Sequence, residues 1–193
     1  MRIVAGRFKG AKIATPAPDD RSIRPSSDRL RESLFNILSH RHEGDAVRDA
    51  RVLDLFSGTG ALGLEALSRG AKYCLFVEEA TGARALIRRN VEALNLTGCT
   101  KIFRRDATSL GPIGTMAPFN LVFADPPYGK GLGEAALAAA ADGGWLAPGA
   151  LCILEERSSA EITLPAGFEE LDRRAYGEGQ IVVLQWQGLE TQT

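Results

Sequence analysis

Residues 122–128 read Val-Phe-Ala-Asp-Pro-Pro-Tyr, an apolar run that ends in a carboxylate, two prolines and an aromatic ring. Each part suits the gripping of a flat exocyclic amino group. The Asp125 carboxylate can accept one N–H of an NH₂ group, and the backbone carbonyl of Pro126 can accept the other. Consecutive prolines at 126 and 127 fix φ and donate no N–H, so the turn is stiff and presents its carbonyls outward. Tyr128 offers a face on which a base can stack, worth roughly 1–3 kcal/mol. The plainer reading is a proline-rich turn after a strand, with Tyr128 as a core anchor.

A second motif stands upstream: Val52-Leu53-Asp54-Leu55-Phe56-Ser57-Gly58-Thr59-Gly60-Ala61-Leu62-Gly63-Leu64-Glu65. A short apolar strand runs into a glycine-rich turn and then a helix. Glycines let backbone approach a ligand closely, and a helix N-terminus offers free N–H groups and a positive dipole end. Gly58, Gly60 and Gly63 also fit the G-x-G-x-x-G dinucleotide pattern. Asp54 separates the two readings: a carboxylate there repels a pyrophosphate but suits a cationic amino-acid head, such as the methionine moiety of S-adenosylmethionine (SAM). Glu78 follows the next apolar run, 73–77, and can accept hydrogen bonds from ribose hydroxyls of either ligand. Asp106 follows a third short strand, 101–104, and is placed to bond an adenine amino group. Each acid alone also reads as a loop or capping residue; together they end three successive strands on one side of a sheet.

Residues 52–128 resemble the class I SAM-dependent methyltransferases, in the branch with a (D/N)-P-P-(Y/F) motif that methylates exocyclic amino nitrogens of bases. The N-terminal stretch Arg24-Pro25-Ser26-Ser27-Asp28-Arg29-Leu30-Arg31-Glu32-Ser33-Leu34-Phe35-Asn36 is similar to the signature of the bacterial 16S rRNA guanine-N2 methyltransferases. Residues 2–10 resemble that family's opening Gly/Arg-rich hairpin, and Gly177 to Leu184 its closing strand. Ser26 stands where Thr is usual, keeping the hydroxyl, and Ala80 stands where the family often has an acid. The resemblance implies a Rossmann-like class I fold and SAM as methyl donor. It implies catalytic roles for Asp125, Pro126, Pro127 and Tyr128. Donor binding would fall to Asp54, Phe56, Ser57, Gly58, Thr59, Gly60, Glu78, Asp106 and Ala107. The substrate it implies is a guanine of 16S rRNA in the head of a partly assembled small ribosomal subunit, near the decoding region.

The elements that must position these residues follow from periodicity. Residues 1–15 read as a β-hairpin around Gly6 and Gly10, and Pro16 and Pro18 open a loop. Ser26 or Ser27 can cap a helix whose Leu30, Leu34, Ile37 and Leu38 recur at helical spacing; residues 41–50 form a polar linker. Strands at 52–56, 73–78, 101–104, 119–124 and 150–155 alternate with helices at 60–69, 81–95 and 132–141 and a helical turn near 107–110. A final hairpin pairs 168–175 with 180–186. This βα rhythm predicts an α/β fold with a mostly parallel seven-stranded sheet, helices on both faces, and an added N-terminal hairpin and helix. Ligands of such sheets bind at the carboxyl ends of the strands, where Asp54, Glu78, Asp106 and Asp125 fall. The organisation expected is an RNA-binding extension over 1–50, a methyltransferase domain over 51–187 and a polar tail over 188–193.

Hydrophobic residues make up 45% and charged residues 24% of the 193, ordinary for a globular chain. No apolar run approaches the ~18 residues of a membrane span, and the N-terminus has no apolar signal region. Cys74, Cys99 and Cys152 are scattered, and His40 and His42 read as surface residues, so neither a disulfide framework nor a metal site is expected. A reduced, cytoplasmic monomer is the expectation. The net charge is −1, yet residues 1–31 carry eight Lys/Arg against three Asp/Glu, leaving −6 on the remainder. A basic arm on a mildly acidic core fits a polyphosphate partner. Arg7, Lys9, Lys12, Arg24, Arg29 and Arg31 are the candidate phosphate contacts, with Arg29 and Arg31 equally readable as structural partners of Asp28 or Glu32. Three competing readings are an adenine-N6 methyltransferase acting on DNA or RNA, an NAD-dependent oxidoreductase, and a binding protein with a vestigial methyltransferase fold.

Overall fold

The computed structural model describes residues 1–17, 28–39 and 44–189. Arg24, the Ser26 and Ser27 caps, His40, His42 and the end of the tail lie outside the described residues. Helix α1 (Asp28–Ser39) comes first, followed by β1 (Arg51–Leu55), α2 (Ala61–Ser68), β2 (Tyr73–Val77), α3 (Thr81–Ala93) and β3 (Thr100–Phe103). Then come β4 (Phe119–Ala124), α4 (Leu132–Asp142), β5 (Leu146–Arg157), β6 (Phe168–Tyr176) and β7 (Gly179–Trp186), with single 3₁₀ turns at Thr97–Cys99 and Ala107–Ser109.

All seven strands form one sheet in the order β3-β2-β1-β4-β5-β7-β6. Strands β1 to β5 run parallel to one another, and β7 runs antiparallel between β5 and β6. This is the α/β architecture that the βα rhythm predicts. The chain builds outward from β1 to β3, then returns to place β4 on the other side of β1. That reversal opens a crevice beyond the carboxyl ends of β1 and β4, where the glycine-rich turn and the Asp-Pro-Pro-Tyr turn leave the sheet.

Both faces of the sheet are apolar because both are covered. Val52, Phe76 and Phe123 face one core with Phe35 of α1, Leu64 of α2 and Ile87 of α3. Their sequence neighbours Leu53, Leu75 and Val122 face the other, with Leu137 of α4 and Trp145. Every residue of α2 is buried. Gly63 is the close contact in that packing, since a Cβ there would lie 2.5 Å from both Cys74 Sγ and the Phe76 ring.

The N-terminal segment forms the expected hairpin: the Ile3 N–H reaches the Ala11 carbonyl at 2.9 Å, the Gly10 N–H the Ile3 carbonyl at 2.9 Å and the Ile13 N–H the Met1 carbonyl at 3.1 Å, around an antiparallel bridge of Arg2 with Lys12. The hairpin also docks on α2: Val4 and Ala5 N–H reach the Glu65 carboxylate at 2.8 and 3.0 Å, and Phe8 N–H reaches Ser68 Oγ at 2.9 Å. Buried donors take the best acceptor within reach, and the buried Glu65 offers two oxygens. Ile3, Ile13, Leu34, Phe35 and Leu38 share one core with the sheet, so packing does not set the described residues of 1–50 apart from the rest. Strand β5 runs longer than the expected 150–155, because its first residues continue beside Phe119 across a register shift in β4.

Candidate active site

The site is a cavity of about 1110 Å³ at the crevice, walled by the ends of β1 and β4, by α1, by the end of β5 and by the β6–β7 turn. Asp54 lies within β1, paired with Phe76 and Phe123, and is 1% exposed yet forms part of the cavity wall. Its Oδ2 accepts the Gly63 N–H at 3.0 Å. Burial pushes this carboxyl up to about 8; the Gly63 bond opposes the shift and the Glu78 charge adds to it. A cation brought beside a buried carboxyl favours its ionised form and lowers that pKa.

Phe56 turns the chain out of β1 at φ 57°, a left-handed conformation that is unusual for a bulky residue and that clusters at ligand sites. Ser57 Oγ donates to the Asp54 carbonyl at 2.6 Å. Glu78 then clamps the turn: its Oε2 accepts the Gly58 N–H at 2.9 Å and its Oε1 the Ala80 N–H at 2.8 Å. Glu78 therefore shapes the glycine turn as well as facing the cavity. Asn90 ties the same turn to the N-terminal segment, donating to the Thr59 carbonyl at 3.0 Å and accepting the Ala14 N–H at 2.7 Å.

Asp125, Pro126, Pro127 and Tyr128 line the same cavity from the end of β4, the strand paired with β1. Asp125 and Tyr128 are half-buried and Pro126 is buried. Two acids of β5 hold this turn. Glu156, 2% exposed, accepts the Gly129 N–H at 2.9 Å, and the Tyr128 hydroxyl donates to Glu155 Oε1. Ser33 of α1 donates to the Tyr176 hydroxyl at 2.9 Å, and both line the cavity, so α1 and the β6–β7 turn close over it together.

Asp54, Phe56, Ser57, Gly58, Thr59, Glu78 and the Asp125–Tyr128 turn thus share one wall-to-wall space. Gly60 stands behind it as the left-handed cap of α2, at φ 79°. Asp106 and Ala107 lie outside the wall; Asp106 Oδ1 accepts from the Thr108 N–H and hydroxyl and caps the following 3₁₀ turn. The Asp-x-Thr spacing carries that Asx-turn signal. Among the cations, Arg29 lines the cavity, and Arg7, Lys9 and Lys12 are exposed. Arg7 and Lys9 sit at the far end of α2, where the Arg7 N–H bonds the Ser68 carbonyl, about 12 Å from the glycine turn along the helix.

Of its two readings, Arg31 takes the structural one, as a partner of Asp28. It is fully buried, and its Nη2 donates to Asp28 at 2.7 Å and to the Arg2 carbonyl at 2.6 Å. A guanidinium in that position joins α1 to the N-terminal limb and has no open path to a phosphate. Sequence reading also passed over Glu155, Arg157, Tyr176 and Gln180, all in the cavity wall. Glu155 carried the same signal as Asp54 and Asp125, an acid at the end of an apolar run. Among the described residues no cluster of His, Cys, Asp and Glu could hold a metal ion, and no helix is long and apolar enough to cross a membrane.

A family model described as Conserved hypothetical protein 95 matches residues 1–185. The Ribosomal RNA small subunit methyltransferase D of Escherichia coli K12 is 39% identical over 170 residues, 87% of this chain and 81% of that protein. The Haemophilus influenzae protein of the same name is 30% identical, over 92% of this chain and 89% of its own. The solved structure of Escherichia coli yhhF superposes with a TM-score of 0.80 at 33% identity, covering 97% of this chain and 98% of that one.

Proposed function

The chain belongs to the Conserved hypothetical protein 95 family, with the small-subunit rRNA methyltransferase D proteins as its relatives; it is a methyltransferase, and we propose how its cavity works. The protein transfers a methyl group from SAM to the exocyclic N2 of a guanine in 16S rRNA. The observation that supports this reading is the pairing, across one cavity, of a buried carboxylate beside a glycine turn with an Asp-Pro-Pro-Tyr turn. The residues present suit SAM: Asp54 faces the amino-acid ammonium, the 56–60 turn supplies backbone for close approach, and Glu78 faces the ribose hydroxyls. When bound, SAM supplies an electrophilic methyl on a sulfonium.

Guanine N2 is a poor nucleophile because its lone pair is delocalised into the ring. Asp125 and the Pro126 carbonyl accept its two N–H bonds and favour pyramidalisation, freeing the lone pair toward the methyl. Their negative ends also stabilise the positive charge that develops on nitrogen, and holding the reactants in line supplies much of the rate. Asp125 need not be a strong base, because the methylated nitrogen becomes very acidic. The base must leave its stack to enter, and stacking on Tyr128 offsets part of that cost. Arg7, Lys9, Lys12, Arg24 and Arg29 are the proposed phosphate contacts of a monomer acting in the cytoplasm on a partly assembled small subunit. The relatives' names favour this reading over an adenine-N6 methyltransferase or an NAD-dependent oxidoreductase.

Incubation with tritiated SAM and small subunits lacking the modification tests this, with naked rRNA and duplex DNA in parallel. Label recovered as N2-methylguanosine from subunits is the expected result. Label in N6-methyladenine would move the protein to the adenine class, and label preferring naked rRNA would remove the assembled subunit as substrate.

A further inference from the structure

Glu156 is 2% exposed and takes no part in the mechanism above. Burying a carboxyl side chain is costly unless it is hydrogen-bonded, and this one directs its bonds to backbone. Its Oε1 accepts the Gly129 N–H at 2.9 Å and the Arg157 N–H at 2.6 Å. Gly129 follows Tyr128 directly and holds φ 74°, so a left-handed residue closes the Asp125–Tyr128 turn. At its other end the turn leaves β4 after Ala124, which pairs with Leu154 of β5. Both ends of the turn therefore rest on β5, one through the strand ladder and one through the Glu156 side chain. Between them Pro126 and Pro127 have no N–H with which to fix the chain. Strand β5 is itself braced at this point. Glu156 pairs with Gln180 of β7, whose Nε2 donates to the Arg157 carbonyl at 2.9 Å and the Ala160 carbonyl at 3.1 Å.

We propose that Glu156 is a positioning residue for methyl transfer: through the Gly129 N–H it sets where the Asp125–Tyr128 turn presents its carboxylate, its carbonyl and its ring. The inference rests on the reading of that turn as the grip on the guanine amine. Such a constellation works only when held within about 0.5 Å of the productive geometry, and a misplacement of about 1 Å costs about 10²-fold in rate. A bond to the backbone fixes the path of the chain, and with it every group the turn carries. The bonds, not the charge, do this. Both go to one oxygen, and the amide oxygen of glutamine accepts in the same way.

Single-turnover methyl transfer to small subunits, with SAM saturating and rates expressed per SAM-binding site, tests this. A side chain that serves stability alone would lower the number of sites and leave the rate per site unchanged. Glu156→Met keeps the length of the side chain but offers no oxygen. Its limiting rate should fall about 10- to 100-fold. SAM affinity and the subunit concentration giving half the limiting rate should stay within about threefold of wild type, the pattern of a loss confined to the transition state. Glu156→Gln should recover most of the lost rate. Glu156→Asp is the second variant should the Met protein bind no SAM: it keeps the charge, falls one methylene short of the Gly129 N–H, and should show the same loss. A wild-type limiting rate per site in the Met or Asp variant overturns the inference, and so does a Gln variant no faster than these. A wild-type protein that labels no guanosine at all would instead overturn the proposed function.

Discussion

Asp54 sits where a carboxylate is costly. Burial holds its proton up to about pH 8, against ~3.9 in the unfolded chain. Between those values the folded chain binds the proton and the unfolded chain does not, so this group's contribution makes stability fall as pH rises from about 4 to about 8, then level off. An ammonium ligand needs the ionised form. Affinity for SAM should therefore drop about tenfold per unit as pH falls below 8, and Asp54→Asn should bind weakly with that dependence removed; calorimetric titration across pH 6–9 reads both. At this scale the signal of an acid closing an apolar run at the sheet's carboxyl edge led to the cavity at Asp54, Glu78 and Asp125, but not at Asp106, which caps a 3₁₀ turn, and it was passed over at Glu155. The sequence was not legible where burial depends on a distant neighbour. Arg31 and Arg29 look alike in sequence, but the helix phase of α1 puts one against the Arg2 carbonyl and the other on the cavity.

Among the elements, α2 carries two loads. Its first turn meets the glycine loop, and its last turn holds the N-terminal segment through Glu65 and Ser68. Glu65 is fully buried and pairs with Arg69 at 2.8 Å. Glu65→Ala removes a buried partner from one guanidinium and from two backbone N–H groups, so urea unfolding should show a loss of about 3–5 kcal/mol. Gly6 makes a separate contact in the same joint: it holds φ +80°, and a Cβ there would meet the Ser68 carbonyl oxygen at 2.0 Å. Gly6→Ala should accordingly destabilise the fold by more than 1 kcal/mol, visible in the same titration. The alternation of strand and helix was readable from periodicity because both are local. The docking of the N-terminal hairpin on α2 was not, because those partners lie 60 or 61 residues away, and alternation alone does not show what a hairpin packs against.

For the whole molecule, the proposed phosphate contacts follow the charge split, eight Lys/Arg against three Asp/Glu over residues 1–31 and −6 on the remainder. Arg7, Lys9 and Lys12 stand clear of the cavity, so replacing all three by Ala should weaken RNA binding at every sequence. The slope of log affinity against log salt should become shallower by about 2–3, while SAM affinity stays as in the wild type; filter binding over a salt series measures this. A cavity that receives the methyl donor on one wall and the reacting amine on the other is the central claim. Single-turnover methyl transfer by Asp125→Ala, with SAM and subunits both saturating, tests it most directly. The account predicts a rate lower by about 10²–10³ with SAM affinity unchanged. A wild-type rate in that variant would contradict it.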